Sequence, residues 1–194
     1  MFCRDRDPEL ELWNGYRQGP EGVVKNFGMN DAYPESDVDD IIPGLIEGRS
    51  TIYYSMGHDD QFDRRVLSWV NQIRAKVRNG AKPPGDISDL AFLLHEHRLI
   101  KSDAELKIMQ KASDISADAH CRAMKESRAG RFEYHLESAI CHTFSENGSR
   151  HPAYNSIVGS GKNACVLHYT ENNARMEDGD LVLIDAGCEY QGYA

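Results

Sequence analysis

The sequence predicts a mixed α/β fold of the α+β kind, arranged as two units. Three observations lead there. Apolar residues recur at helical spacing over 59–78, 102–127 and 131–147. Four strand-like stretches joined by Gly, Asn and Asp turns crowd into residues 154–194. Between these patterns the character of the chain changes near 98–102, which divides it into 1–99 and 100–194.

The elements follow in order. "MFCR" is apolar from its first residue and reads as the end of a strand. Asp7 and Pro8 supply an N-cap and a proline at the first helical position, opening a helix through Trp13 and Tyr16 that closes near Gly19-Pro20. "ESDVDDIIPGLIEG" is a short helix strained or ended by Pro43, and "STIYYSMG" is a β-branched and aromatic strand. Phe62, Val66, Trp69, Val70, Ile73 and Val77 mark one helix from Asp59 to Arg78, with Gly80 as its closing residue. "GAKPPGD" is a loop. Ser102 with Glu105 forms a capping box ahead of the 102–127 helix, and Gly148 closes the next one. "YNSIVGSG", "ACVLHYT", "DLVLIDAG" and "EYQGYA" are the strands that follow.

Composition excludes several classes. The 194 residues carry a net charge of -9, with 40% apolar and 27% charged residues, ordinary for a globular protein. Surfaces that track nucleic-acid phosphates are usually basic, so nucleic acid is not an expected partner. No apolar run approaches the roughly 18 residues of a membrane span. The five cysteines are odd in number and none is spaced as C-x-x-C, which argues against a zinc ribbon or a disulfide framework. Together with the lack of a secretory leader, this points to the cytoplasm.

Two residues stand out as chemistry. Asp185 ends the apolar run "LVLID", where its carboxylate reads as buried, and burying such a charge costs several kcal/mol unless it is paired or bound to metal. Asp-Ala-Gly read alone equally opens a β-turn. His168, in "VLHYTENN", sits where an apolar strand meets a polar turn, the place of a packed edge residue or of a site residue. Other features carry less. His95 and His97 diverge on a helix, His120, His135 and His142 share no ligand spacing, and "GSGK" lacks the rest of a phosphate loop. Trp13 suits a helix anchor and Arg78 a cation near a helix C-terminus.

Taken together, "YNSIVGSGKNACVLHYTENN" and "DGDLVLIDAGCEYQGYA" closely resemble the Xaa-Pro aminopeptidases (aminopeptidase P) of the pita-bread metallopeptidase family, and "FEYHLE" and "RLIKSDAELKIM" fit the same group. Residues 100–194 carry the resemblance strongly; 1–99 resemble the later part of that family's amino-terminal domain on weaker motifs. The implied architecture is a partial creatinase-like amino-terminal domain followed by the first half of a pita-bread catalytic domain. The implied reaction releases an N-terminal residue that precedes proline, through a water or hydroxide shared by two divalent metal ions, usually Mn2+. Two cations lower the pKa of a shared water and stabilise an oxyanion, and hard oxygen ligands suit manganese. Asp185 matches the first of two ligating aspartates, and His168 a histidine that contacts substrate or moves protons. Trp13 and Arg78 match positions that reach a neighbouring subunit's site and bind substrate there.

The resemblance further implies a second aspartate, a histidine and two glutamates beyond residue 194. The chain then reads as an internal piece of a longer enzyme, inactive alone, with an uncovered apolar sheet edge. Peptides with proline second are the implied substrates, and a dimer or tetramer the implied assembly. A prolidase acting on Xaa-Pro dipeptides is the alternative within the fold. A pita-bread module that binds peptides or proteins without catalysis is the alternative outside it, and the intact "LIDAG" counts against a metal-free enzyme of the creatinase kind.

Overall fold

A computed structural model describes residues 1–194, which divide into two compact units, Met1–Leu99 and Ile100–Ala194.

In the first unit, strand β1 (Phe2–Cys3) pairs in parallel with β2 (Tyr33–Pro34), and two helices make the crossover that parallel strands need. Helix α1 (Pro8–Asn14) opens as expected: the Asp7 carboxylate accepts from the backbone N–H groups of Glu9 and Leu10. It ends earlier than expected, at Gly15 with φ 80°, and Tyr16 lies outside it. A second helix that sequence reading did not foresee, α2 (Gly19–Phe27), begins where the first was expected to close. The reason is the position of Pro20. A proline in the first turn gives up an N–H that has no partner there anyway, so it starts this helix instead of stopping the last one.

Helix α3 (Val38–Ile46) buries Pro43 and continues past it. Strand β3 (Thr51–Tyr53) pairs in parallel with β4 (Asp86–Ser88), in the stretch that read as the end of a loop. Between them, α4 (Asp60–Arg74), capped by Asp59, supplies most of this unit's core through Val66, Trp69, Val70 and Ile73. The Asp39 carboxylate ties α3 to α4, accepting at 2.7 Å from both Arg65 Nε and Trp69 Nε1. The expected single helix to Arg78 is divided: α4 stops at Arg74, and Val77–Asn79 form a separate 3-10 turn closed by Gly80 at φ 96°. Helix α5 (Leu90–Leu99) completes the unit and buries none of its residues.

The second unit is built on two packed helices, α6 (Asp103–Glu126) and α7 (Glu133–Glu146). The Ser102–Glu105 capping box opens α6 as its sequence indicates. Ala112, Ile115, Ala119 and Ala123 meet Leu136, Ile140 and Phe144, and Val158, Met176 and Cys188 close the same core. Against it lie two antiparallel ladders: β5 (His151–Pro152) with β8 (Cys188–Glu189), and β6 (Ile157–Ser160) with β7 (Val182–Asp185). The two ladders run in the same sense. Ala153–Ser156 stand opposite only Ala186 and Gly187, a bulge of two extra residues on one side.

The outer edge of β6 is closed by side chains, whereas β7 pairs with no strand on its other side. Val158 N donates to Asn172 Oδ1 (2.9 Å), Ser156 O accepts from Asn172 Nδ2 (2.8 Å), and Ser160 N donates to Glu133 Oε1 (2.6 Å). The expected strand "ACVLHYT" does not form. Gly161–Cys165 make a 3-10 helix and 166–168 lead into an exposed turn.

Candidate metal and substrate site

Asp185 is the last residue of β7, opposite Ile157 on β6. Along β7 the alternate residues Val182 and Ile184 pack on the core, while Leu183 and Asp185 face outward and are exposed. The expectation of a buried carboxylate is therefore corrected: one face of this sheet lies on the helices, the other is open, and the period of two puts Asp185 on the open side. The β-turn alternative is not realised either. Since both ladders are antiparallel in the same sense, the chain passes through Ala186 and Gly187 into β8 without reversing, and Ala153 N donates to Gly187 O.

The bulge brings a residue to Asp185 that sequence reading overlooked. Tyr154 Oη donates to Asp185 Oδ1 at 2.7 Å. This bond to a carboxylate is the main reason the Tyr154 phenol is pushed up to about 12, with burial adding to it. Gly187 makes room for the ring: a Cβ there would stand 3.3 Å from the Tyr154 ring edge. Asp185 Oδ1 is thus held in place, and Oδ2 keeps its lone pairs.

His168 is exposed in the turn after the 3-10 helix, flanked by exposed Val166 and Leu167, and its imidazole makes no hydrogen bond. The next residue, Tyr169, is buried and anchors the turn. Its hydroxyl donates to Glu133 Oε2 at 2.8 Å. Glu133 is the second residue that sequence reading overlooked. It is fully buried at the start of α7 and accepts five hydrogen bonds: from Ser160 N and Oγ, Asn163 Nδ2, Tyr169 Oη and Ala174 N. Burial pushes its pKa up, but the donors from Ala174, Tyr169 and Ser160 together hold it below the usual carboxylate range.

The other two expected site residues are in the first unit. Trp13 on α1 is 87% exposed and touches no other ring, so it is not a packing anchor. Arg78 is exposed in the last turn of the 3-10 segment and forms no ion pair. His95 and His97 are exposed on α5. Nowhere do three or more His, Cys, Asp or Glu side chains gather in a way that could hold a metal ion. Asp185 offers one hard oxygen of the kind that manganese or another divalent ion accepts, but a lone carboxylate does not make a site, and these 194 residues by themselves do not fit a metal pair.

Comparison with known proteins gives these residues a context. Residues 1–53 match the aminopeptidase P N-terminal domain, and residues 107–194 match metallopeptidase family M24, a family that implies divalent metals. An Xaa-Pro aminopeptidase of Escherichia coli (strain K12) is 43% identical over 194 residues, covering all of this chain and 44% of its own length. The mitochondrial intermediate cleaving peptidase 55 of Arabidopsis thaliana is 32% identical over 193 residues, with 37% of its length covered. Among solved structures, Pseudomonas aeruginosa aminopeptidase PepP matches with a TM-score of 0.92 at 54% identity, over 97% of this chain and 42% of that one. Zinc-substituted E. coli aminopeptidase P in complex with product matches with a TM-score of 0.93 at 43% identity, over 99% and 44%.

The chain spans less than half the length of these relatives. Its fold is that of the aminopeptidase P amino-terminal domain running into the start of the pita-bread catalytic domain. On these matches the chain carries an aminopeptidase P N-terminal domain match over residues 1–53 and a metallopeptidase family M24 match over residues 107–194, and is similar along its whole length to Xaa-Pro aminopeptidases.

Proposed function

We propose that these residues serve a metal-dependent aminopeptidase that releases an N-terminal residue preceding proline, with Asp185 as one metal ligand and His168 facing the substrate. The observation that carries the reading is the state of Asp185: fixed through Oδ1 by Tyr154, exposed, and free at Oδ2. A carboxylate held this way is oriented without being saturated, as a ligand requires. Divalent ions, of which Mn2+ is the expected pair, would supply Lewis acidity and a water of lowered pKa. The chain's own part is to orient that carboxylate, and to present the unbonded imidazole of His168 for binding substrate or moving a proton. Trp13 and Arg78, both exposed and without partners, are substrate contacts in the same reading. A cytoplasmic enzyme working as a dimer or tetramer belongs to it as well, and the five unpaired thiols fit a reducing compartment.

In this reading the 194-residue chain is inactive alone, because one carboxylate does not hold a metal pair. The test incubates it with Mn2+ and a tripeptide whose second residue is proline, beside a protein that carries the same residues at the relatives' full length. No turnover by the short chain, turnover by the long one, and its loss in Asp185→Asn are expected. Metal-dependent turnover by the short chain, or an unaffected Asp185→Asn enzyme, would overturn the reading.

A further inference from the structure

The five donors on Glu133 have a distribution that core packing alone does not account for. All come from residues 160–174, the end of β6 and the first part of the connection to β7, which carries His168. Ser160 is the last residue of β6, before His168, and Ala174 follows His168 in the connection, and both bond the same carboxylate. Glu133 N in turn donates to Ala174 O at 3.0 Å, so the chain beyond His168 is gripped twice at this residue. Inside the loop, Asn163 Nδ2 bonds both Glu133 Oε1 and Tyr169 Oη, which joins the 3-10 helix to the anchor next to His168.

Every group pointing at Glu133 is a donor. An ionised carboxylate, with acceptor capacity only, suits that setting, whereas an amide would turn its own N–H groups toward at least two of them. A buried charge is an expensive way to close a surface loop, and a neutral hydrogen-bonded group or an apolar one closes loops elsewhere. What the charge adds is rigidity at one place: the backbone on both sides of the exposed histidine.

We propose that Glu133, acting through the Tyr169 hydroxyl, is a positioning residue that fixes the His168 imidazole for the reaction. Glu133 touches neither substrate nor metal ligand in this assignment. The inference rests on the proposed role of His168, and its test separates the two.

The experiment uses the metal-loaded protein at the relatives' full length, with a proline-containing tripeptide. Tyr169→Phe removes one hydroxyl from the network, and Glu133→Gln is the more severe variant. The expected result is a kcat about ten- to a hundred-fold lower in Tyr169→Phe, the scale on which misplacing a reacting group acts. KM and the metal concentration giving half activity should stay unchanged. Ile140→Val, a core substitution chosen to lower the thermal midpoint similarly, should leave kcat as in the parent. In a His168→Ala background, Tyr169→Phe should cost nothing further, because the group it positions is gone. An equal loss from Tyr169→Phe with and without His168, or a lower thermal midpoint with unchanged kcat, would leave Glu133 a purely structural residue and overturn the inference. Unimpaired kcat in His168→Ala would instead overturn the role of His168 itself, and the inference with it.

Discussion

The second unit contains two carboxylates with opposite treatment. Glu133 is fully buried and saturated by five donors. Asp185 is exposed, held by one phenol, and has an oxygen to spare. The first arrangement fixes the chain around the charge, since each donor removed from the carboxylate would be left buried and unpaired. The second fixes the charge and leaves it available. A carboxylate that holds structure and one that waits for a ligand thus differ less in location than in how completely their lone pairs are used.

The largest test of this contrast is truncation. Glu133→Ala should destabilise the folded unit by about 3–5 kcal/mol in urea unfolding, as for the loss of one partner from a buried charged network. Asp185→Ala should change stability little, being a surface substitution away from the packed core. Comparable losses for both would erase the distinction.

The buried member of the pair should also show in the pH dependence of stability. Glu133 titrates below the ordinary carboxylate value in the folded protein, so the unfolded chain binds a proton more readily in that window. Its contribution is therefore complete above about pH 4.3, the ordinary glutamate value, and drains away as pH falls through the lowered folded value. Denaturant midpoints measured from pH 6 downward should fall less steeply in Glu133→Gln than in the parent.

A finer probe reads Asp185 through its partner. Tyr154 sits at about 12 because of the bond to Asp185. Asp185→Asn should return it toward about 10, the ordinary tyrosine value, in a spectrophotometric difference titration. The smallest effect is expected from Gly187→Ala. The added Cβ meets the Tyr154 ring at 3.3 Å and its hydroxyl at 3.4 Å, and an exposed ring can swing away. A partial fall in the Tyr154 pKa with little change in stability would show that the glycine keeps the phenol on the carboxylate.

Features set by neighbouring residues were the legible ones. The Asp7 cap and the Ser102–Glu105 box depend on side chains within three positions of the groups they satisfy, and both form as read. The helices around Ile73 and Ile140 follow their own periodicity. Illegible features depended on partners far along the chain. "ACVLHYT" has the composition of a strand, but Glu133, some 30 positions earlier, draws in Asn163 and Tyr169 and the segment curls instead. Helix α2 was hidden because a proline in a first turn and one after a last turn look alike until the other end of the helix is known. At the site, "LVLID" marked Asp185 but concealed its exposure, since four apolar residues in a row disguise which alternate pair faces the core. Tyr154 carried one local signal, the glycine at 187, whose meaning depends on a bulge between distant strands.

The capped border of β6 has a consequence for growth of the sheet. An exposed strand edge is a template: its outward N–H and C=O groups await any extended peptide, from another copy or from the unfolded state. Along β6 the outward positions at Ser156, Val158 and Ser160 are already occupied by the Asn172 amide and the Glu133 carboxylate. Two side chains from outside the sheet act there as a fixed selvedge, so no strand can be added on that side without first displacing a buried charge. Asn172, from the stretch that presents the histidine, is therefore with Glu133 also the stop that keeps this sheet from growing on its β6 side.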